Sequence, residues 1–233
     1  MNALAGGGTF ATMPALLGIG TPANIANATS NIALLPGAAT SAWSFRDELQ
    51  PVGGLPVRLL AGITFVAGLV GSWLLVVTPS SAFDLIVPWL LLLAFVAIAF
   101  GPAAADWLAK RVTIGPRTLV VAQALLGTYG GYFGGGVGIM TTATYGLLAG
   151  ETPRSMFAPR TLMLATANFA AAFVFVAFGM VRWDACLPMV AGGIVGGWLG
   201  AGVGKRLPDA AVRWWTILVT AATTAVFFYR AYG

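Results

Sequence analysis

The chain has 233 residues, of which 58% are hydrophobic and 8% charged, and its mean hydropathy is +0.88. These values exclude an ordinary water-soluble domain. The formal charge of +5 comes from basic residues thinly spread at the ends of apolar runs. This spacing reads as topology information rather than as a nucleic-acid surface. Histidine is absent and Cys186 is the sole cysteine, so thiolate-cluster metal sites, HExxH metalloproteases and Ser/His proteases are excluded, and no cofactor is implied.

Backbone polar groups cannot go unpaired in lipid, and the apolar runs lack the two-residue alternation of barrel strands. The expected fold is therefore an all-α integral membrane protein. Met1 to Gly20 has no basic start and is interrupted by glycines, so it reads as part of the mature chain and not as a signal peptide. Spans are expected at 22–45, 58–79 and 83–106, each near the length that crosses about 30 Å of hydrocarbon. A basic loop with Lys110, Arg111 and Arg117 follows. Leu119 to Gly150 is too long for one span and is broken by the run Gly130-Gly131-Tyr132-Phe133-Gly134-Gly135-Gly136-Val137-Gly138, which predicts a hairpin of two half-length helices. Three more spans are expected at 160–181, 184–204 and 210–230.

Basic residues place the loops around Lys110, Lys205-Arg206 and Arg46 to Arg58 on the cytoplasmic side. The loops near Thr21-Pro22 and Thr78 to Ala82 then lie outside. Alternation through the spans works only if Leu119 to Gly150 enters and leaves on the cytoplasmic face, with its glycine turn near the midplane.

The halves resemble each other. Gly6-Gly7-Gly8-Thr9, then Met13-Pro14-Ala15-Leu16-Leu17, Gly20 and Thr21-Pro22, parallels Gly136-Val137-Gly138, then Tyr145-Gly146-Leu147-Leu148, Gly150 and Thr152-Pro153. Each stretch is followed by three spans, and the two Thr-Pro turns face opposite sides. The organisation expected is a first repeat over 1–107, a cytoplasmic connection over 108–117 and a second, inverted repeat over 118–233. The second repeat has an apolar arm before its glycine turn, about Leu119 to Gly131, that the first lacks. Either a start upstream supplies that arm or the chain works without it.

Glycine turns can present backbone N–H groups and helix N-termini to an anion. They can also simply allow close helix packing, which is the reading for Gly192-Gly193, Gly196-Gly197, Gly200 and Gly204. Gly6, Gly7, Gly8, Gly134, Gly135, Gly136 and Gly138 are the binding candidates, because they interrupt helices and recur in both halves. Hydroxyls and amides beside the turns join them: Thr9, Asn27, Thr29, Ser30, Asn31, Thr141, Thr142, Thr161 and Asn168, each of which could instead bond its own helix. Arg160, at the entrance to a span, either binds the anion or snorkels to the interface. Asp184 and Glu151 read as solvated loop-edge acids, and Cys186 as a small apolar filler.

Three sets of residues carry a family resemblance over nearly the whole chain. They are Ala5-Gly6-Gly7-Gly8-Thr9 with Pro14-Ala15-Leu16, then Ala28-Thr29-Ser30-Asn31, and Gly131 to Gly138 with Asn168, Gly179, Trp183 and Gly200-Ala201. With these the chain resembles the sulfite exporter TauE/SafE family of membrane permeases. The resemblance implies a plasma-membrane, multi-pass carrier, working as an exporter, for a small anionic substrate such as sulfite or an organosulfonate. A small carboxylate carrier and a membrane assembly partner that transports nothing are the alternatives. No P-loop occurs, so an ion gradient or the substrate's own gradient would drive it. The lipid bilayer and the anion are the expected partners, a homo-oligomer is open, and nucleic acid is not expected.

Overall fold

The computed structural model describes residues 8–109, 115–150, 155–204 and 209–233. Nine α-helices occur among them: α1 Thr9–Gly18, α2 Ala23–Ser44, α3 Val57–Val77, α4 Ser80–Ala109, α5 Pro116–Tyr132, α6 Val137–Ala149, α7 Phe157–Ala177, α8 Trp183–Gly204 and α9 Asp209–Tyr232. Every expected span coincides with one helix to within about three residues, and the segment 119–150 is a pair of helices, α5 and α6. Lys110, Arg111, Thr152-Pro153, Lys205 and Arg206 lie outside the described residues.

The bundle is apolar on its outer surface as well as inside. Val66, Val70 and Trp73 on α3, Val121 and Leu125 on α5, and Phe169 and Phe173 on α7 are all exposed. That pattern belongs to a protein whose solvent is hydrocarbon, where exposed Leu, Val and Phe need no cover. By length and composition, Val57–Val77, Ser80–Ala97 and Phe157–Ala177 each suffice to cross a membrane. The 22-residue α2 falls short of that apolarity, since it carries Asn24, Asn27, Thr29, Ser30 and Asn31 toward the interior. Asn27, Thr29, Ser30 and Asn31 are buried against other helices and Asn24 is half-buried.

Packing runs through the centre of the bundle. Helix α2 packs on α1, α4, α7 and α8, helix α3 on α5 and α7, helix α6 on α4, α5 and α7, and α9 on α4 and α1. Phe10, Met13 and Leu16 from α1 join Phe83, Val87 and Leu91 from α4 and Phe175 from α7 in the largest buried cluster.

The closest approach is between α3 and α5, and glycine makes it possible. A Cβ placed on Gly71 would sit 2.0 Å from the Thr128 carbonyl oxygen, and one on Gly131 would sit 2.0 Å from that of Gly68. The glycines expected to serve packing behave otherwise. A Cβ on Gly192, Gly193 or Gly196 would meet nothing within 4 Å. Spacing at three and four residues cannot say which stripe has a neighbour, and here the intimate contact lies on α3 and α5.

A polar chain inside this interface locks the hairpin. Gln123 on α5 donates to Thr64 Oγ1 on α3 at 2.6 Å and accepts from the Tyr145 hydroxyl on α6 at 2.7 Å. All three residues are almost fully buried. Gln123→Leu would leave the tyrosine hydroxyl without its acceptor and should lower stability by about 1–3 kcal/mol. Thermal unfolding in detergent checks this; an unchanged midpoint would show that the chain is dispensable.

Between α2 and α3 a short turn folds back on itself. Val52 and Leu55 exchange backbone bonds of 3.0 and 2.9 Å around Gly53 and Gly54, both with positive φ, as a tight two-residue hairpin turn requires. Val52 plugs a buried cluster with Leu60, Leu119, Tyr145, Met156 and Met163.

Candidate anion site

The break between α5 and α6 is built from glycine geometry. Gly134 has φ +76° and Gly136 φ +79°, a left-handed conformation that costs glycine almost nothing and a β-branched residue a great deal. The Phe133 and Gly134 N–H groups both close onto the Tyr129 carbonyl at the end of α5. Gly136 then caps α6, its carbonyl accepting from the Ile139 and Met140 N–H groups at 3.1 and 3.0 Å. Tyr129 braces the turn by donating its hydroxyl to the Gly135 carbonyl at 2.8 Å.

In the first half Gly8 precedes α1 in the right-handed helical conformation, φ −58° and ψ −35°. The Gly8 carbonyl accepts from the Ala11 and Thr12 N–H groups at 3.0 and 3.1 Å, so α1 and α6 each begin one residue after a glycine. The start of α6 leaves its early N–H groups without an intrahelical acceptor. The Phe10 side chain of α1 reaches the second-half turn: a Cβ on Gly136 would lie 3.5 Å from the Phe10 ring and 3.0 Å from the Ala94 Cβ. Gly6 and Gly7 lie outside the described residues, while Gly8 and Thr9 form the start of α1, with Thr9 buried.

Most hydroxyls among the sequence candidates already have partners. Thr142 donates to the Gly138 carbonyl at 2.9 Å and Thr161 to the Phe157 carbonyl at 2.8 Å, each back-bonding within its own helix. Ser30 is hydrogen-bonded to Thr12. Thr29 accepts the Arg182 backbone N–H at 3.0 Å, and Arg182 Nη1 reaches Thr21 Oγ1 at 2.9 Å. These bonds tie the start of α2 to the turn before α8. Arg160 Nη1 approaches Thr142 Oγ1 at 3.5 Å with its guanidinium over the Phe157 ring, one turn into α7. Asp184 is exposed and pairs with Arg182 at 3.1 Å, and Cys186 is buried in the main cluster.

Three buried polar atoms among the described residues lack a hydrogen-bond partner: Asn27 Oδ1, Asn31 Oδ1 and Thr141 Oγ1. Asn27 and Asn31 face the second-half turn. Asn27 Nδ2 donates to the Tyr132 carbonyl at 2.9 Å, and a Cβ on Gly134 would lie 2.9 Å from Asn31 Nδ2. Asn168 is buried on α7, the helix that packs on α2, and Gly138 is buried in the first turn of α6. The sequence reading passed over Phe10 and Tyr129 at the turn, and Gln123 in the α3–α5 interface. Aromatics inside a glycine break, and a lone glutamine inside an apolar helix, are the signals that would have flagged them.

The chain resembles known membrane proteins along its whole length. It is 27% identical to a probable membrane transporter protein of Haemophilus influenzae, over 98% of this chain and 89% of the relative. It is likewise 27% identical to the probable membrane transporter protein YfcA of Escherichia coli, over 100% of this chain and 86% of the relative. With a probable membrane transporter protein, ORF9, of a Sinorhizobium species it shares 30% identity over 88% of this chain and 77% of the relative. No solved structure matches it. The family model described as sulfite exporter TauE/SafE matches residues 1–227, and the chain belongs to that family of membrane transporters.

Proposed function

We propose that the chain is a multi-pass plasma-membrane secondary transporter, an exporter and not an enzyme, for a small sulfur-containing anion such as sulfite or an organosulfonate. The observation that carries this reading is the glycine-led start of α6 at Gly136, buried inside the bundle with the Phe10 ring of α1 packed beside it. A helix N-terminus bears roughly half a positive charge and a set of free N–H donors. Such a start inside the bundle makes an anion site without a buried lysine.

The arrangement that would alternate this site is an inverted repeat. In it α1 answers to α6, α2 to α7, α3 to α8 and α4 to α9. The packing is consistent with that exchange, since α1 on α2 matches α6 on α7, α1 on α9 matches α6 on α4, and α2 on α8 matches α7 on α3. The sequence is consistent too. Ala28-Thr29-Ser30-Asn31 on α2 matches Ala165-Thr166-Ala167-Asn168 on α7, and Gly68-Leu69-Val70-Gly71-Ser72-Trp73 on α3 matches Gly193-Ile194-Val195-Gly196-Gly197-Trp198 on α8. The α5–α6 pair is then re-entrant from the cytoplasm. At a 1.5 Å rise the 13 residues of α6 reach about 20 Å inward, which sets Gly136 within the hydrocarbon layer. Rocking of one half against the other would expose the site to each side in turn.

Binding to the purified protein tests the substrate class. Sulfite, thiosulfate, sulfoacetate and acetate, each added to detergent-solubilised protein, should raise the melting temperature in a saturable way for the sulfur oxyanions, since a ligand that binds only the folded state stabilises it by mass action. A rise with acetate alone would move the substrate to carboxylates. No rise with any of the four would leave the site without a ligand of this class.

A further inference from the structure

The orphaned oxygens of Asn27 and Asn31 sit on the wrong side of the turn for an anion. Asn27 and Asn31 are four residues apart on α2 and so share one face, and their exposures are 0% and 4%. The orientation of Asn27 is fixed by chemistry, because its Nδ2 must be the atom that faces the Tyr132 carbonyl, and that leaves Oδ1 aimed elsewhere and unpaired. The Gly130 carbonyl lies close by, 3.4 Å from the point where a Gly134 Cβ would stand beside Asn31 Nδ2. Tyr132 is the last residue of α5, so this is the C-terminal, electronegative end of that helix. Amide oxygens, helix-terminal carbonyls and a negative dipole end together repel an anion and attract a cation.

Helices α2, α5 and α6 contain no aspartate or glutamate. A neutral oxygen set of this kind suits a monovalent cation, whereas calcium and magnesium recruit carboxylates. We propose that a sodium-sized monovalent cation binds between α2 and the end of α5, held by Asn27 Oδ1 and Asn31 Oδ1 in the field of the α5 C-terminus. The turn from Phe133 to Gly136 then separates the two ligands, with the cation at the end of α5 and the anion at the start of α6. One hinge would carry both charges, and each would lower the electrostatic cost of moving the other. The coupling role rests on the anion-carrier reading above; the cation site itself does not.

The test is a sodium titration of the purified full chain, without substrate anion, against choline at equal ionic strength. Sodium should raise the melting temperature saturably and choline should not. In Asn31→Ala the half-saturating sodium concentration should increase by about tenfold or more, the loss of about 1.4 kcal/mol of binding. In Asn31→Asp at pH 8 it should fall, since a carboxylate replaces a neutral oxygen. The Asp variant keeps the test decisive if the Ala variant does not fold. Identical curves in sodium and choline, or an Asn31→Asp response equal to wild type, would overturn the cation site and assign those oxygens to water. Sodium stabilisation without any response to anions would sink the anion reading and leave this one standing.

Discussion

Gly136→Val is expected to abolish anion stabilisation and transport while the protein still inserts and folds as a bundle. Valine at φ +79° is held in a region that costs a non-glycine residue of order 1–3 kcal/mol, and its Cβ would press to 3.0 Å on the Ala94 Cβ. The cap on α6 must then rearrange, and with it the Gly136 carbonyl that accepts from Ile139 and Met140. A shift of the first N–H groups by an ångström removes their bonds to the anion, so affinity should fall by about 30-fold or more, corresponding to about 2 kcal/mol. Gly136→Ala supplies the graded comparison, since it carries the left-handed penalty without the branch. Expression, melting temperature and anion-dependent stabilisation separate the outcomes. Wild-type anion stabilisation in Gly136→Val would mean that the turn does not hold the ligand.

The second large effect is structural. Gly71→Val should prevent assembly of α3 against α5, because its Cβ would fall 2.0 Å from a carbonyl oxygen and 2.8 Å from both the Thr128 carbonyl carbon and the Tyr132 nitrogen. These are backbone atoms, and no rotamer change relieves the clash. The helices must separate, giving up the Gln123 bonds to Thr64 and Tyr145 with them. A destabilisation of about 3 kcal/mol or more is expected, in the range of severe overpacking, and would appear as loss of monodisperse protein after extraction. Gly196→Val, at the matching sequence position on α8, meets nothing within 4 Å and should leave the melting temperature within a degree or two. Equal damage from both substitutions would mean that the open face of α8 is covered in the working protein.

Helix existence and order were legible because a membrane span is a composition event: about 20 apolar residues closed by charge, with no tertiary term needed to see it. The break was legible for a related reason, since a glycine run weakens a helix, although it falls after Tyr132 and the pair Gly130-Gly131 stays inside α5. What periodicity could not supply was neighbour identity. Gly68-Leu69-Val70-Gly71 and Gly193-Ile194-Val195-Gly196 are near copies, yet α5 packs on the first, whereas a Cβ at Gly193 or Gly196 would meet nothing within 4 Å. The glycine run likewise marks a turn without saying which residues turn. Gly134 and Gly136 take the left-handed conformation, whereas a Cβ on Gly135 meets the ring of Phe133 at 2.6 Å, a side chain that can swing aside. Among the hydroxyls, composition offered Thr142, Thr161 and Ser30 as equals of the asparagines. Their bonds to Gly138, Phe157 and Thr12 are choices that only coordinates reveal, and they leave Asn27, Asn31 and Thr141 as the buried polar groups with capacity to spare near the turn.

Flux across a membrane bears most directly on the central claim, that a small sulfur-containing anion passes by way of the Gly136 turn beside Phe10. Purified wild-type chain reconstituted into liposomes and loaded with unlabelled sulfite should accumulate labelled sulfite from outside, saturably, by exchange, and Gly136→Val liposomes should match protein-free ones. Equal accumulation by wild-type, variant and empty liposomes would contradict the account.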